Sequence, residues 1–480
     1  MKRRALISVT DHEGVVDLAK ALIQSNFEIV ATSGTAKLLR GNGVGVTGIG
    51  EVTGVEELAG GRVKSLHPNI FAGILCDRDA TAEMQELARL QISPIDIVVV
   101  NLYDFASNPT NEEIDIGGTA LMRAAAKNHR FVTVLAHPSL YQEFINALPM
   151  GVSDQRRKEL AGIAFATTMR YEMEIARHFA SPLRYGENPH QGGALIGNSL
   201  GIAGARRVDL NQGKSLSYNN LLDADAAWRA AFDHEGSSCA IIKHGNPCGI
   251  ASGESSLIAF KKALECDPVS SFGGVVALNR AVDEHLAKDL SEIFLEVILA
   301  PAFTPRAIEI LSNKKDLRVL EVEPKQVSSD FTGHLISGGL LLQDLDDVRS
   351  ESLDWELVAG SELSGEMMRE LRFTWRSVRS VRSNAIVIAK NQATVGIGMG
   401  QVSRVDAARL AVSHAGERTL GAFAASDGFF PFPDGALELA RAGVRAIVQP
   451  GGSKRDNEVI EAVASMGVTM YFTGRRHFSH

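Results

Sequence analysis

Lys243 and His244 are adjacent in the segment K-H-G-N-P-C-G, which spans residues 243–249 and follows an apolar run. A cation beside an imidazole favours the neutral ring, so the pair offers a general base next to a positive charge. Such a pair suits a reaction in which a nucleophile loses a proton while negative charge develops nearby. An ordinary polar loop end would contain the same two residues, so the pair alone leaves both interpretations open.

Two further segments could bind a phosphorylated or flat ligand. R-Y-G-E-N-P-H-Q, residues 184–191, concentrates planar hydrogen-bonding side chains, and Arg184 would bind phosphate through paired hydrogen bonds. A polar linker is the alternative. Phe429, Phe430 and Phe432 lie in a segment rich in proline and glycine. They would either stack on a heterocycle or pack in the core.

Polar residues near the ends of predicted strands form another candidate site in the first third of the chain. Lys64 lies near two glycines, Tyr103 follows a strand, and Asp115 precedes a helix that carries Lys127 about three turns further on. We expect these four side chains to form one polar site at the strand ends. The segment S-G-T, residues 33–35, lies between a strand and a helix, where N–H groups can hold an anion. Taken singly, each residue would also fit a surface charge or a helix cap.

Two familiar motifs are incomplete in this chain. G-I-G-M-G-Q has Gln401 where a dinucleotide-binding loop needs its third glycine. P-C-G, residues 247–249, lacks the second cysteine and the H-x-E glutamate of a zinc deaminase. A metal hydrolase is therefore disfavoured, and we expect no zinc.

The composition excludes several classes of protein. The chain has 480 residues and a net charge of −8, with 49 Lys and Arg against 57 Asp and Glu, so no nucleic-acid partner is expected. The four cysteines form no C-x-x-C pair, which favours reduced thiols and a cytoplasmic location. No apolar run reaches the roughly 18 residues typical of a membrane span.

Alternating apolar runs and amphipathic segments predict an α/β fold. Residues 5–9, 27–32, 95–101 and 131–136 are typical of buried strands, and 118–129 of an intervening helix. This pattern predicts a doubly wound parallel sheet, with ligands at the carboxyl ends of its strands.

The later part of the chain alternates in the same way. A helix is predicted over 153–180, and a domain boundary over 181–193. Residues 239–249, 383–390 and 394–400 each predict a strand with a turn-rich end, and the similar design of 239–249 and 383–400 indicates two related halves. The charged stretch 344–354 predicts an exposed connection between them.

Ordered motifs along essentially the whole chain resemble the bifunctional family that joins phosphoribosylaminoimidazolecarboxamide (AICAR) formyltransferase to IMP cyclohydrolase. The first third contains ISVTDHEG, SGTAK, GGRVKSLHP, NLY, IDIGG and RAAAKNH. The remainder contains RYGENPHQ, LSYNNLLDADAAW, KHGNPCG, DPVSSFGG, SNAIVIAK, GIGMGQVSRVD, SDGFFPF, QPGGSKRD and RRHFSH.

The resemblance implies two domains and a set of ligands. Residues 1–180 would be an IMP cyclohydrolase domain with a methylglyoxal-synthase-like fold. Residues 182–480 would be a formyltransferase domain of two cytidine-deaminase-like subdomains, about 182–348 and 349–480. The ligands would be AICAR, formyl-AICAR, IMP and 10-formyltetrahydrofolate as cosubstrate. The resemblance also implies a homodimer with formyltransferase sites at the subunit interface, and a potassium ion nearby.

For formyl transfer, the resemblance makes His244 the base that removes a proton from the 5-amino group of AICAR. Lys243 would stabilise the transition state, and Asn384 would hold the formyl oxygen. The positions that match binding residues for AICAR and folate are Arg184, Tyr185, Asn220, Gly273, Glu296, Arg404, Phe429, Asp434, Ser453, Lys454 and Arg476.

For ring closure, the resemblance makes Lys127 the proton-transfer residue, with Lys64, Tyr103 and Asp115 around it. The positions that would bind the nucleotide are Thr10, Asp11, His12, Thr32, Ser33, Gly34, Thr35, Arg62, Ser65, Asn101 and Ile116.

The chain departs from the family pattern around the ring-closure site. His12 stands in place of a lysine, Asp104 in place of a proline, and the stretch 106–113 is shorter than usual. These differences leave open a formyltransferase whose cyclohydrolase half is impaired. A non-catalytic nucleotide sensor is another alternative, against which the retention of both proposed catalytic lysines and the histidine argues.

Overall fold

The computed structural model describes residues 3–55, 58–197, 202–208, 215–324, 331–346 and 354–480. The chain divides into two units, Met1–Ala180 and Ser181–His480. The domain limits expected from the sequence, at residues 180 and 182, lie beside this division.

The first unit contains a parallel sheet. Its strands are β1 (Arg3–Ser8), β2 (Phe27–Ala31), β3 (Thr47–Gly48), β4 (Ile97–Val100) and β5 (Thr133–Leu135). They lie in the order β3-β2-β1-β4-β5, and every pair is parallel. All four residues of β4 are buried β-branched side chains, as expected for a strand covered on both faces. The predicted parallel α/β sheet is confirmed here.

Helices alternate with these strands. They are α1 (Val15–Gln24), α2 (Ser33–Gly41), α3 (Ile49–Thr53), α4 (Pro68–Leu75), α5 (Thr81–Arg89), α6 (Ile116–Lys127), α7 (Tyr141–Ala147) and α8 (Asp154–Phe179). The helices predicted over 118–129 and 153–180 correspond to α6 and α8. The Ser153 side chain caps α8 by accepting a hydrogen bond from the Arg156 N–H. α6 packs against α8 and buries an apolar face around Leu121 and Met122.

The second unit contains a mixed sheet of twelve strands. The strands of this unit are β6 (Ser181–Pro182), β7 (Ala194–Leu195), β8 (Arg206–Arg207), β9 (Ser237–Lys243), β10 (Asn246–Gly253), β11 (Gly274–Leu278), β12 (Leu295–Ala300), β13 (Arg318–Glu321), β14 (Phe331–Ile336), β15 (Gly339–Asp344), β16 (Glu356–Ala359), β17 (Ile386–Lys390), β18 (Ala393–Gly398), β19 (Phe423–Ser426), β20 (Ala446–Gln449) and β21 (Thr469–Phe472). The large sheet has the order β16-β21-β20-β19-β17-β18-β10-β9-β11-β12-β13-β8, while β6-β7 and β14-β15 form separate pairs.

Two stretches of this unit have the same order of elements. The helices are α9 (Tyr218–Phe232), α10 (Ser256–Cys266), α11 (Glu284–Glu292), α12 (Pro305–Leu311), α13 (Gly365–Val378), α14 (Arg404–Ala415), α15 (Pro433–Arg441) and α16 (Asp456–Ser465). The series α9-β9-β10-α10-β11-α11-β12-α12-β13 is repeated as α13-β17-β18-α14-β19-α15-β20-α16-β21. In the sheet, both series run outward from the central pair β18-β10. The likeness of each half to a cytidine deaminase stays a prediction.

Part of the turn expected over 244–249 is itself a strand, whereas the strand expected over 394–400 corresponds to β18. Residues 246–253 form β10, antiparallel to β9, and residues 393–398 form β18, antiparallel to β17. The turn expected over 244–249 is therefore only two residues long. Pro247 fits in a strand because the pairing register shifts between Pro247 and Gly249, and proline is tolerated at such an irregularity.

Most of the expected connection at 344–354 lies outside the described residues, which omit 347–353. The expected subdomain limit near residue 348 lies there too. Among the helices of the described residues, none is both long and apolar enough to span a membrane.

Gly249 of β10 lies where helix α10 approaches the sheet most closely. A β-carbon there would lie 1.9 Å from the Ala263 carbonyl oxygen and 2.9 Å from the Cys266 Cβ. We expect Gly249→Ala to lower the free energy of unfolding by about 2–3 kcal/mol, because backbone must move to make room. Chemical denaturation measures the loss. Gly365→Ala is the control, since a β-carbon there meets nothing within 4 Å; equal stability of the two variants would contradict the expectation.

Candidate active sites

In the first unit, polar loops follow the carboxyl ends of three neighbouring strands. Residues 10–12 follow β1, residues 32–35 follow β2, and Asn101 directly follows β4. Because these strands are parallel and adjacent, the three loops meet at one edge of the sheet. Most positions expected to bind the nucleotide therefore lie close together.

The amide of Asn101 holds the loop after β1. Its Oδ1 accepts hydrogen bonds from the Thr10 N–H (2.6 Å), the Thr10 hydroxyl (2.9 Å) and the Asp11 N–H (3.1 Å). Its Nδ2 donates to the Asp11 carbonyl oxygen at 2.8 Å. Asn101 thus shapes the loop, while Asp11 and His12 are exposed to solvent.

Helix α2 begins at the same edge. Thr32 is its N-cap residue, and the Thr35 hydroxyl bonds to both the N–H and the carbonyl oxygen of Val9 at 3.2 and 3.3 Å. Thr32 and Thr35 are buried, whereas Ser33 and Gly34 are exposed. The start of the helix is therefore open to solvent, where its dipole favours an anion.

Asp115 caps helix α6 and lies near Lys64. Its Oδ1 accepts a hydrogen bond from the Gly118 N–H at 2.6 Å, and its own N–H donates to the Tyr171 hydroxyl at 2.7 Å. Burial raises the pKa of the Asp115 carboxyl, although the Gly118 hydrogen bond and the Lys64 charge oppose that shift. A carboxyl with a raised pKa beside an ammonium group is suited to proton exchange.

The other residues expected around Lys64 differ in their contacts. Ser65 is buried, and its hydroxyl would lie 2.9 Å from a β-carbon at Gly117, so it packs on the first turn of α6. Arg62 is exposed and forms an ion pair with Glu112 at 2.7 Å. Tyr103 and Ile116 are also exposed.

Lys127 lies apart from this group. It is the last residue of α6, a helix of 12 residues that starts directly after Asp115. At 1.5 Å per residue, the two ends are separated by roughly 18 Å along the helix axis. Within one chain the structure therefore separates Lys127 from Asp115 and from Lys64 near it. This corrects the expectation of a single site, because a helix of this length carries its last residue away from the strand ends.

In the second unit, Lys243 ends β9 and His244 lies in the turn to β10. Lys243 Nζ donates a hydrogen bond to the Phe272 carbonyl oxygen at 2.8 Å. His244 and Gly245, the two turn residues, both have left-handed backbone, with φ of 54° and 71°. The Lys-His pair is therefore a hairpin turn and not a loose loop end.

Lys243 and His244 line a cavity of about 470 Å³ between the two repeated halves. Burial raises the pKa of the Cys248 thiol to about 12 and that of Cys266 to about 11. These thiols are therefore protonated at neutral pH and are poor nucleophiles. The other lining residues are Asn246, Pro247, Asp267, Ser270, Ile397, Met399, Gln401, Leu410 and His414.

A second cavity of about 450 Å³ is lined by Asn384, Arg404, Phe429 and Asp434, among others. Arg404 is only 8% exposed and pairs with the fully buried Asp427. It also donates to Asn384 Oδ1 at 2.7 Å and to the Ser426 hydroxyl at 2.8 Å. Asp427 balances the charge of Arg404, and the guanidinium in turn orients the Asn384 amide.

Two of the expected phosphate-binding arginines stack on aromatic rings. The Arg184 guanidinium lies 4.5 Å from the Tyr185 ring centre, and that of Arg476 lies 4.6 Å from the Phe478 ring centre. Both arginines are exposed. Stacking restricts the two guanidinium planes, and the Arg184 guanidinium also donates a hydrogen bond to the Tyr185 hydroxyl.

Other expected substrate residues have contacts within the fold. Asn220 completes the capping box of α9 with Ser217, and Glu296 forms an ion pair with the buried Arg318. Gly273 has a φ of 77°, and Ser453 and Lys454 lie in the turn before α16. Asn220 and Glu296 thus stabilise the fold around the site.

Sequence reasoning missed Asp223, Gln401 and Asp427. Gln401 lines the first cavity and Asp427 pairs with Arg404. Both lie in motifs that carried the family resemblance, so their position in those motifs was an available signal. Asp223 lies in LSYNNLLDADAAW, another motif of the resemblance, but nothing in that motif indicates its contact with the turn that contains His244.

Comparison with known proteins identifies the family. The AICARFT/IMPCHase bienzyme model matches residues 125–414, and the MGS-like domain model matches residues 14–129. The bifunctional purine biosynthesis protein PurH of Corynebacterium glutamicum (strain ATCC 13032) is 49% identical, covering 100% of this chain and 98% of that protein. PurH of Cutibacterium acnes (strain DSM 16379) is 46% identical, covering 100% and 99%. Among solved structures, "Crystal structure of ForH" aligns with 37% of this chain and 100% of its own at 33% identity, with a TM-score of 0.35.

The family matches and the two full-length relatives agree with the ordered motifs along the chain. The chain belongs to the AICARFT/IMPCHase bienzyme family and is a bifunctional AICAR formyltransferase and IMP cyclohydrolase of purine biosynthesis.

Proposed function

We propose that the two reactions are divided between the units, with ring closure in Met1–Ala180 and formyl transfer in Ser181–His480. The observation that carries this assignment is the placement of Lys243 and His244 at a cavity of about 470 Å³. The MGS-like match lies within the first unit and supports the division. The polar loops at the strand ends of that unit supply a nucleotide pocket.

Formyl transfer needs a base because the 5-amino group of AICAR is a weak nucleophile, its lone pair being delocalised into the ring and carboxamide. In the proposed step the amine nitrogen bonds to the formyl carbon of 10-formyltetrahydrofolate, and His244 accepts the amine proton. The bond from the formyl carbon to N10 then breaks, and N10 takes up a proton as tetrahydrofolate leaves. The folate is thus a cosubstrate and not a resident cofactor.

Lys243 and Asn384 would stabilise the negative charge on the formyl oxygen. Asn384 Nδ2 donates to the Gln401 carbonyl oxygen at 2.9 Å, which leaves its second amide hydrogen for the substrate. Arg184 and Arg476 would bind the phosphate of AICAR, and Phe429 would stack on its ring. The remaining proposed contacts to AICAR or folate are Tyr185, Gly273, Arg404, Asp434, Ser453 and Lys454.

In ring closure, the carboxamide nitrogen of formyl-AICAR attacks the formyl carbon, and water leaves to give IMP. The nitrogen must lose a proton and the departing oxygen must gain one. Lys64 and Asp115 are the proposed exchanging groups, because they lie near each other and the Asp115 carboxyl has a raised pKa. The start of α2 would bind the phosphate.

Lys127 would act in the ring-closure site of a second copy of the chain. It is exposed and lies roughly 18 Å along α6 from Asp115, too far for its own side chain to reach. We therefore propose a homodimer in which Lys127 of one copy completes the ring-closure site of the other.

The test is a two-step assay with AICAR and 10-formyltetrahydrofolate that follows tetrahydrofolate and IMP separately. After a short lag, we expect IMP to form at the same rate as tetrahydrofolate forms.

A second candidate function is formyl transfer with an impaired ring-closure half. It is motivated by His12, which is exposed in the loop after β1. Formyl-AICAR that accumulates without IMP would favour that candidate, and formation of neither product would contradict both.

A further inference from the structure

We propose that Asp223 is a positioning residue for formyl transfer, because it holds the turn that carries His244. The proposal rests on the assignment of His244 as the base. Asp223 lies in helix α9, in the segment L-L-D-A-D. Its carboxylate bonds to the backbone of the turn.

The turn between β9 and β10 leaves two donors outside the strand ladder. Lys243 and Asn246 pair across the hairpin, so His244 and Gly245 form a two-residue connection. Both have positive φ, 54° and 71°, as a type I′ turn requires. In such a turn the N–H groups of the two central residues point away from the ladder and need other partners.

The carboxylate of Asp223 supplies both partners. Its Oδ2 accepts a hydrogen bond from the His244 N–H at 3.2 Å, and its Oδ1 accepts one from the Gly245 N–H at 2.7 Å. Hydrogen bonds to an ionised acceptor are stronger than neutral ones. Asp223 thereby fixes the backbone of the proposed base to helix α9.

Asn246 makes the contacts on the other side of the turn. Asn246 Nδ2 donates to the His244 carbonyl oxygen at 3.4 Å, and Asn246 Oδ1 accepts from the Arg382 N–H at 3.1 Å. A histidine in the left-handed region is strained and persists only where its surroundings hold it. Loss of the Asp223 carboxylate should therefore let the imidazole leave the position needed for proton transfer.

The second repeated half contains the same arrangement without a catalytic residue. Asn391 and Gln392 form the two-residue turn between β17 and β18, with φ of 55° and 53°. Glu370 of α13 accepts a hydrogen bond from the Gln392 N–H at 2.9 Å. Asp223 and Glu370 are each the sixth residue of their helix. Glu370 is thus a matched control: it holds an equivalent turn that carries no proposed base.

The experiment compares Asp223→Asn with Glu370→Gln in the full-length protein. We expect Asp223→Asn to lower kcat of formyl transfer about tenfold, and Asp223→Ala about 100-fold, since misplacing a reacting group by about 1 Å has effects of that size. The KM values for AICAR and 10-formyltetrahydrofolate should change less than about threefold, because binding groups stay in place. Glu370→Gln should lower the thermal stability by about as much as Asp223→Asn does, and it should leave kcat of formyl transfer unchanged.

Three outcomes would overturn the proposal. Equal losses of kcat in Asp223→Asn and Glu370→Gln would show a general effect of hairpin stability. An unchanged kcat in Asp223→Asn would show that the turn needs no carboxylate. A raised KM at unchanged kcat would make Asp223 a binding residue. Failure of the underlying assignment has a different signature, because His244→Ala would then retain formyl transfer.

Discussion

Replacing His244 with alanine is expected to abolish formyl transfer and to leave ring closure of supplied formyl-AICAR unchanged. Loss of a general base lowers kcat by about 10²–10⁴-fold. Ring closure should persist because the residues proposed for it lie in the other unit. Assaying each half-reaction with its own substrate measures the two rates independently.

A companion variant removes the base without straining the turn. His244 has a φ of 54°, where asparagine is far better tolerated than alanine, so His244→Asn should keep the hairpin and still lack a base. His285→Ala is the control, since His285 is an exposed histidine of α11 in the same unit. Retained formyl transfer in His244→Asn, or loss of both activities in the folded variant, would contradict the assignment.

The sheet of the first unit could be predicted because its signals are local. Buried parallel strands such as β4 are continuous apolar runs, and the intervening helices have their own periodicity. Strand order was not predictable in the same way. The sequence does not reveal that β1 pairs with both β2 and β4, because this pairing joins residues that are distant along the chain.

The hairpins of the second unit show where local signals mislead. Asn246, Pro247 and Gly249 are turn-forming residues, yet they begin a strand. The proline sits at a register shift, and the glycine admits the backbone of α10. Both are explained by neighbours in space that no stretch of sequence identifies.

The composition of the sites was easier to predict than their geometry. Lys243 and His244 line the same cavity, since adjacent residues cannot be far apart. Asp223 escaped notice because it acts on backbone N–H groups, to which any nearby carboxylate could bond. The sequence predicts one site for Lys127 and Asp115 near the strand ends, whereas the length of α6 separates them within one chain.

The second large expected effect concerns the two lysines proposed for ring closure, Lys64 and Lys127. Lys127→Ala and Lys64→Ala are each expected to lower the rate of ring closure by about 100-fold or more, so that formyl-AICAR accumulates in the two-step assay. Formyl transfer should be unchanged in both. Lys158→Ala is the control, because Lys158 is an exposed lysine of α8 in the same unit. Unchanged IMP output from Lys127→Ala would contradict its role.

Mixing the two inactive variants tests whether Lys127 acts in the second copy. After random exchange of subunits, about half of the dimers contain one chain of each kind. If each site takes Lys64 from one copy and Lys127 from the other, one site of a mixed dimer carries both substitutions and the other carries neither. Ring closure should then return to about a quarter of the wild-type rate. If both lysines act within one copy, every site keeps one defect and no activity returns, which would contradict the shared site.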